Sequence, residues 1–457
     1  MFDHRLIEKY NQPGPRYTSY PPANFFHEQF DGQQYLRLIE ASNTDEPRNV
    51  SLYVHIPFCP QICHFCGCNT SLYKNEAEVE QYIKALLTEI KLVADEIDKR
   101  RVVTQIHWGG GTPNSISYKW INTVMTFFYK YFKVDTDAEI AMECNPAYLE
   151  LTDLIELSKL GFNRLSLGVQ DFDTGLLKQM NRIPPKFPVK DLIRTAKKAG
   201  IDSINIDLMY GLPGQSLEHH LKSVRKTIAL NPDRIVTFSY AHVPWFKSNQ
   251  KNLEGYAMPE PEQKLNMLES AYNLLSEGGY VPIGMDHYVK PDDELFIALK
   301  NKKLHRNFQG YASREQTGQV YAFGATAISQ LQKAYAQNVR NIDQYIQNLN
   351  DGQLPVLRGY ELNAEEQIIR KVITEIMCNH QINWEQLAEE LLTSVAKVKE
   401  SVCFDPQKFQ PFINDKMVEM NEEQVTVTPR GYFLIRNIAM AFDPYLNQEE
   451  KKYSKTI

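Results

Sequence analysis

The sequence predicts an α/β protein with an incomplete parallel (β/α)6 barrel and a smaller helical C-terminal domain. Short apolar segments alternate with amphipathic helical patterns between residues 51 and 242, and helical periodicity dominates the chain beyond residue 360. Repeated strand–helix–strand units favour parallel strands joined by right-handed crossovers. A doubly wound open sheet is the alternative arrangement of the same units.

Six segments have the composition of strands, because each is short, rich in β-branched or aromatic residues, and bounded by Gly, Pro or a polar residue. The predicted strands are SLYVHIP (51–57), TQIHWGG (104–110), AEIAMEC (138–144), RLSLGVQ (164–170), SINIDLMYG (203–211) and RIVTFSYAH (234–242).

Helical patterns lie between these strands. The clearest is VEQYIKALLTEIKLVADEI, in which apolar residues recur at intervals of three and four with charges on the opposite face. A second helix, KDLIRTAKKAG (190–200), ends in glycine, as helix C-termini often do. The tail combines helices with a short strand and turn in VTVTPRGYFLIRNIAMAF, which is typical of a winged-helix-like end.

These patterns divide the 457 residues into an extended N-terminal segment (1–50), a barrel domain (51–350) and a helical domain (351–457). The prolines around GPRYTSYPP predict a stiff N-terminal segment that covers the mouth of the barrel. The net charge is −6 and no basic recognition helix stands out, so no nucleic-acid partner is expected.

The sequence also indicates the cellular compartment of the protein. The first residues have no apolar core of signal-peptide length, and no run of about 18 apolar residues predicts a membrane span. We therefore expect a cytoplasmic protein. Thiols stay reduced in that compartment, so clustered cysteines indicate metal binding or catalysis rather than disulfides.

Four of the 7 cysteines fall inside CPQICHFCGC, at Cys59, Cys63, Cys66 and Cys68. A structural zinc site prefers two separated pairs of ligands, and a bacterial ferredoxin uses C-x2-C-x2-C with a distant fourth cysteine. Neither pattern fits this spacing. The cluster follows the first predicted strand directly, which places it at the carboxyl ends of the barrel strands, where barrel enzymes have their active sites.

The spacing C-x3-C-x2-C is that of radical S-adenosylmethionine enzymes, so the predicted fold is a barrel of that type. Cys59, Cys63 and Cys66 are the predicted ligands of a [4Fe–4S] cluster whose fourth iron stays open for the cofactor's methionine group. They are the predicted catalytic residues, since the cluster drives radical generation. Cys68 is expected near the cluster without ligating it, and Phe65 is expected to pack against the bound adenine.

The chain resembles the oxygen-independent coproporphyrinogen III oxidase family from about Lys9 to the TPRGYFLIRNIAMAFDPYL tail. The motifs that carry the resemblance are KYNQPGPRYTSYPPA, HIPFCPQICHFCGCN, HWGGGTP, GFNRLSLGVQDF, INIDLMYGLPGQ, GMDHY and HRNFQGY. The resemblance implies an oxidoreductase of anaerobic haem biosynthesis. Its reaction is the oxidative decarboxylation of the ring A and B propionates of coproporphyrinogen III to vinyls, which gives protoporphyrinogen IX.

The resemblance also implies two molecules of S-adenosylmethionine. The positions that match the first cofactor site are Tyr53, Phe65, Gly110, Glu143 and Ile328, and those that match the second are Gly111, Thr112, Gln170, Arg182, Asp207 and Ala241. Tyr53 lies within the first predicted strand, and several of the others lie at or just past the ends of later strands. Because strand ends converge in a parallel barrel, a shared site is geometrically plausible.

The substrate and partners follow from the same resemblance. Cationic groups are needed for four propionates, and the candidates are Arg16, His287 and Arg306, with the hydroxyls of Tyr17 and Tyr20. An external electron donor such as a flavodoxin-like protein is expected, and so is a monomer. The alternatives are a haem-binding chaperone on the same scaffold, an electron carrier, and a radical enzyme that acts on another tetrapyrrole or on RNA.

Overall fold

A computed structural model describes residues 4–284, 286–313 and 318–446. Its strands, numbered in chain order from β1 to β19, are Val50–Ile56, Phe58–Cys59, Ser71–Leu72, Val102–Gly110, Lys133–Cys144, Arg164–Gln170, Ser203–Tyr210, Arg234–Ser239, Val281–Ile283, His287–Val289, Leu304–Arg306, Tyr311–Ser313, Gln319–Phe323, Ile328–Gln330, Ala334–Asn338, Val356–Glu361, Gln381–Asn383, Val418–Met420 and Gln424–Val427.

The helices alternate with the central strands. Numbered from α1 to α16, they are His4–Tyr10, Gly32–Ala41, Glu76–Glu96, Tyr118–Tyr131, Leu151–Lys159, Thr174–Gln179, Val189–Ala199, Leu217–Leu230, Pro261–Glu277, Glu294–Lys300, Ile342–Asn350, Ala364–Asn379, Trp384–Glu390, Val395–Ser401, Gln410–Asn414 and Ile435–Met440. Among the described residues, none of these helices is long and apolar enough to span a bilayer.

The predicted parallel core is confirmed. One sheet has the order β16-β15-β14-β13-β1-β4-β5-β6-β7-β8-β10-β9, and the six predicted strands are neighbours in it, all parallel. Their spatial order follows chain order without reversal. A doubly wound sheet would reverse at a switch point, so that alternative is wrong. The prediction missed the continuation beyond β1, where β13 is parallel and β14 to β16 are antiparallel.

Strand alternation separates an apolar layer from a polar one. Leu52 and Val54 of β1, with Ile106 and Trp108 of β4, are buried in the core shared with the helices. The intervening Tyr53 and His107 face the other side of the sheet, where their rings stack at 5.9 Å. Since parallel pairing keeps residues of like orientation side by side, this second face carries a continuous row of polar side chains toward the strand ends.

The two helices that the sequence analysis places between the strands form α3 and α7. In α3 the side chain of Asn75 accepts from the Glu78 backbone N–H at 3.0 Å, which caps the first turn. Val79, Ile83 and Ile90 are fully buried on its inner face. Helix α7 ends at Ala199 and is capped by Gly200, whose φ of +95° is the left-handed conformation that glycine adopts readily.

A second core joins the two chain ends. Leu6, Tyr10, Tyr17 and Tyr20 pack with the apolar residues of α12 to α16. Polar contacts reinforce this packing, because Arg436 donates to the carbonyl of Gly14 at 2.6 Å. Strands β17 to β19 form a small sheet beside these helices, in keeping with the winged-helix-like end. The domain boundaries and the covering role of residues 1–50 stay predictions; β16, beyond residue 350, pairs within the barrel sheet.

The hairpin β11–β12 connects the two ends of the open sheet. On one side the ring of Tyr311 meets His287 of β10 at 5.0 Å. On the other side Phe308 meets Tyr335 of β15 at 6.1 Å. Strands β10 and β15 lie near opposite ends of the sheet order. The sheet therefore curves until one hairpin spans the remaining gap, as expected of an incomplete barrel.

A buried carboxyl group ties α3 to this curved sheet. Glu89 accepts from the backbone N–H of Gly324 at 2.8 Å, the amide of Asn338 at 2.6 Å and the hydroxyl of Tyr345 at 2.5 Å. Burial raises the pKa of Glu89 from 4.5 to about 7 despite these three hydrogen bonds. The native protein therefore holds this proton to higher pH than the unfolded chain does.

We predict that Glu89 stabilises the fold most below pH 4.5 and that this contribution is lost as the pH rises to about 7. Relative to Glu89→Gln, the wild-type free energy of unfolding should fall by on the order of 3 kcal/mol across this range. Urea unfolding of both proteins from pH 4.5 to pH 8 measures it. Glu80→Gln, on the exposed side of the same helix, is the control, and parallel wild-type and Glu89→Gln profiles would contradict the prediction.

Candidate functional site

The cysteine loop begins where β1 ends. Cys59 belongs to the short strand β2, and Cys63 and Cys66 follow in irregular backbone. Cys59 and Cys63 are 7% and 9% exposed, Cys66 is half-buried and Cys68 is exposed. The three predicted ligands thus lie on one short loop at the carboxyl ends of the barrel strands, as the sequence indicates.

The glycine segment after β4 lies directly against this loop. The backbone N–H of Gly111 donates to Ile56 at 2.7 Å, and that of Thr112 donates to Phe58 at 2.9 Å. The Thr112 hydroxyl lies 3.2 Å from the sulfur of Cys59. A side chain at Gly111 would meet the carbonyl oxygen of Phe58 at 2.7 Å, so only glycine permits this approach.

The charges around the thiols differ from one cysteine to the next. Burial raises the pKa of Cys59 to about 11, and it also raises the pKa of Cys63. Arg182 opposes the effect at Cys63, because its guanidinium lies 3.5 Å from that sulfur. The hydrogen bond between Cys66 and Cys68 lowers the pKa of Cys66 and raises that of Cys68. Cys68 therefore lies beside a predicted ligand and supports its thiolate.

The thiols do not converge on a point. Within residues 4–284, 286–313 and 318–446, no three His, Cys, Asp or Glu side chains are close enough to hold a single metal ion.

Two histidines that the sequence analysis missed organise the first predicted cofactor position. His107 lies 3.1 Å from Glu143, and His55 lies 3.2 Å from the hydroxyl of Tyr53. The backbone N–H of Gly110 donates to Glu143 at 3.3 Å. The structure thus brings Tyr53, Gly110 and Glu143 together on the polar side of the sheet. The sequence could have indicated both histidines, because strand alternation puts His55 of β1 and His107 of β4 on the same face as Tyr53.

A second polar group continues along the same face. Ser166 donates to Asp207 at 2.9 Å, and Asn205 donates to Asp207 at 2.7 Å. Burial raises the pKa of Asp207 to about 6 against these hydrogen bonds. Asp207 is thus held in place without a cationic partner among these contacts, and a cofactor hydroxyl or amino group would suit it.

Gln170 and Arg182 complete this group near Gly168. Arg182 donates to the carbonyl of Gly168, and a side chain at Gly168 would meet both Gln170 and Arg182. Gln170 has a φ of +70°, in the left-handed region. Its buried Oε1 has no hydrogen-bond partner in the described part of the chain. An unpaired buried acceptor of this kind indicates a group that the protein itself does not supply.

The other predicted positions are less closely grouped. Phe65 packs against an apolar cluster that includes Leu176 and Tyr240. The carbonyl of Ala241 accepts from Gln250 at 3.2 Å. Ile328 lies on β14, which β13 separates from β1, and packs near Phe26. Contact of these three residues with a cofactor stays a prediction.

The candidate substrate residues separate into two sets. Tyr17 and Tyr20 both donate to Asp443 at 2.9 Å, so their hydroxyl protons are used within the fold. His287 pairs with Asp286 at 2.6 Å, and Arg306 lies over the ring of Tyr311 at 5.2 Å. Although burial acts in the opposite direction, His287 and then Arg306 and Arg16 hold the pKa of Asp286 below its ordinary value. His287 and Arg306 therefore both lie near the carboxyl group of Asp286.

We predict that Gly111→Ala destabilises the protein and displaces the cysteine loop, because the added methyl group would contact backbone atoms of Pro57 and Phe58. Overpacking of this kind costs about 1–3 kcal/mol. The matched control is Gly67→Ala, since a side chain at Gly67 meets nothing within 4 Å. Thermal unfolding and the alkylation rate of Cys59 measure both effects; equal behaviour of the two variants would contradict the close approach.

Known proteins are similar to this chain over nearly its whole length. The model of the radical SAM superfamily matches residues 53–226. The oxygen-independent coproporphyrinogen III oxidase of Synechocystis sp. is 40% identical over 455 residues, covering 99% of this chain and 97% of the relative. That of Escherichia coli K12 is 38% identical over 458 residues, covering 100% and 98%.

A solved structure extends the likeness to the fold. It is that of coproporphyrinogen III oxidase from Escherichia coli, described as a radical SAM enzyme, and it matches with a TM-score of 0.90 and 36% identity over 98% of this chain and 99% of the other. These likenesses cover the barrel, the hairpin that spans its gap and the C-terminal helices alike. The chain belongs to the family of oxygen-independent coproporphyrinogen III oxidases.

Proposed function

We propose that this protein decarboxylates coproporphyrinogen III oxidatively, converting the ring A and B propionates to vinyls and giving protoporphyrinogen IX. The observation that carries the proposal is the C-x3-C-x2-C loop, which the Gly111–Thr112 segment fixes at the carboxyl ends of the parallel strands. The relatives named above, which are similar over nearly their whole length, support it.

The residues of the loop fit a [4Fe–4S] cluster. Cys59, Cys63 and Cys66 supply the sulfur donors that such clusters require. A cluster takes each thiolate on a different iron, so the thiols need not gather around one ion. Arg182 places a positive charge 3.5 Å from Cys63, which favours the thiolate form that binds iron. We therefore assign Cys59, Cys63 and Cys66 as ligands and Cys68 as a neighbour.

The polar face fits S-adenosylmethionine. Glu143 can receive a cationic amino group, and Arg182 can pair with a carboxylate. Gln170 offers a buried, unpaired acceptor within the described part of the chain. We assign the first cofactor position to Tyr53, Phe65, Gly110, Glu143 and Ile328, and the second to Gly111, Thr112, Gln170, Arg182, Asp207 and Ala241.

When bound, a reduced cluster and S-adenosylmethionine would supply the radical chemistry that removes a hydrogen atom from a propionate. Conversion of each propionate to a vinyl then releases carbon dioxide and one electron to an acceptor. The chain's own part is to orient the reacting groups and to exclude water from the mouth. The apolar cluster around Phe65 and the hairpin that spans the barrel gap are suited to that exclusion.

We further propose that Arg306 receives a substrate propionate. Its Nη1 is buried and has no hydrogen-bond partner among the residues the structure describes. A buried guanidinium nitrogen without an acceptor is costly, and a propionate would supply the acceptor. His287, on β10, contacts the ring of Tyr311, and Arg306 lies over that same ring. Arg16 is exposed on the N-terminal segment and could contribute a second cation.

The remaining partners are proposed from the reaction. An external donor, such as a flavodoxin-like protein, supplies electrons, and the enzyme acts as a cytoplasmic monomer. A haem-binding chaperone on the same scaffold is the rival function. It predicts stoichiometric haem binding without turnover, whereas the oxidase forms vinyl groups.

Anaerobic turnover tests the proposed function. Reconstituted protein with S-adenosylmethionine, an active reductant and coproporphyrinogen III should yield vinyl product, carbon dioxide and 5′-deoxyadenosine. Cys63→Ser should abolish all three products, whereas Cys403→Ser, at an exposed cysteine of the C-terminal domain, should retain them. Wild-type protein with a full cluster and no vinyl product would refute the proposal, and haem retention would then favour the chaperone.

The role of Arg306 has a separate test. Arg306→Gln should raise the KM for coproporphyrinogen III roughly tenfold, because a hydrogen bond to a charged group is lost. The affinity of Arg306→Gln for S-adenosylmethionine should stay unchanged. The control is Arg194→Gln, at an exposed arginine on α7, which should keep wild-type activity. An unaltered KM, or an equal loss of cofactor affinity, would contradict the proposal that Arg306 binds a substrate propionate.

A further inference from the structure

A turn after β8 donates side-chain hydrogen bonds to the backbone of the cysteine loop. The turn spans Ser248–Leu253, and its Asn249 side chain donates to three carbonyls of the loop. The distances from Nδ2 are 3.1 Å to Cys63, 3.0 Å to His64 and 3.1 Å to Cys66. Two of these carbonyls belong to cysteines assigned above as cluster ligands.

Gln250 makes a second connection beside the first. Its Nε2 donates to the carbonyl of Phe65 at 3.1 Å and to that of Ala241 at 3.2 Å. Its Oε1 accepts from the backbone N–H of Val243 at 2.6 Å. Gln250 is 1% exposed, so one buried amide joins the cysteine loop to the segment that leaves β8.

The loop carbonyls outnumber the hydrogens that the side-chain amide of Asn249 can donate. An asparagine Nδ2 carries two hydrogens, yet three carbonyls surround that of Asn249, so at least one hydrogen is shared. Carbonyls in irregular backbone cannot find partners in a helix or sheet ladder. The four carbonyls from Cys63 to Cys66 are all satisfied by this pair of side chains.

We propose that Asn249 and Gln250 are positioning residues for the cluster, acting through the backbone that carries its ligands. They hold residues 63–66 in one conformation and fix that conformation relative to Ala241, which is assigned to the second cofactor position. The inference rests on the proposed function, because it presumes that Cys63 and Cys66 bind the cluster. Side chains that orient ligands without touching the metal affect retention and electronic properties.

The structure distinguishes this role from ordinary loop packing. The bonds of Asn249 go to the segment between two ligands rather than to the core. The neighbouring Lys251 is exposed and offers a matched substitution in the same turn. Gln250→Glu keeps an acceptor for Val243 and replaces the two donated bonds by a carboxylate oxygen, while Asn249→Asp replaces the three donated bonds in the same way at nearly constant shape.

The experiment compares Asn249→Asp, Asn249→Ala and Gln250→Glu with wild type and Lys251→Gln. Three quantities are measured: the melting temperature of cluster-free protein, the rate of iron loss to a chelator after reconstitution, and the electron paramagnetic resonance of the reduced cluster. Asn249→Ala introduces no buried charge, so it stays informative if the acidic variants fold poorly.

We expect iron loss roughly tenfold faster in the Asn249 variants, together with shifted g-values and a cluster-free melting temperature close to that of wild type. Lys251→Gln should match wild type throughout. The inference is overturned if the variants change only in melting temperature, or if their iron loss and spectra equal those of wild type. Wild-type protein that binds no cluster would instead refute the proposed function itself.

Discussion

The site depends on holding an irregular loop rigid at the carboxyl ends of the barrel strands. Between Cys59 and Cys68 the chain forms little regular hydrogen bonding of its own, so other segments must satisfy its backbone. Asn181 does so on one side, donating to the carbonyl of Ile62 at 2.9 Å. Thr112 contacts Cys59 on another side, and Asn249 donates to the loop on a third. The thiols keep their positions because three separate loops converge on them.

The barrel supplies these three loops because parallel strands end at one rim. Thr112 follows β4, Asn181 follows β6 and Asn249 follows β8, so each arrives from a different part of the same curved sheet. Strand alternation adds the polar face below the rim, where Glu143 and Asp207 project beside histidine, serine and asparagine partners. The charged groups for a cofactor and the thiols for a cluster thus follow from one architecture.

Much of this could be predicted from the sequence, because local patterns determine it. The strand segments were visible in composition, and the bounds of β6 agree at both ends with RLSLGVQ. The antiparallel strands β14 to β16 were not predicted, since they are short; each pairs with its neighbour in chain order, but the pairing of β13 with β1 that attaches them to the barrel joins distant segments. Long sequence separation also hid the contacts of Asn249 and Gln250 with the cysteine loop, whose residues lie more than 180 positions away. A polar residue in a loop gives no sign of its partner until the fold brings them together.

The central claim is that the three-cysteine loop carries a cluster with one iron open to S-adenosylmethionine. Electron paramagnetic resonance of the reduced, reconstituted protein, recorded before and after S-adenosylmethionine is added, tests it most directly. The account predicts a [4Fe–4S] signal whose g-values change when the cofactor binds. A signal whose g-values stay unchanged when the cofactor is added would contradict the account. Zinc held by all four clustered thiols in place of iron would also contradict it.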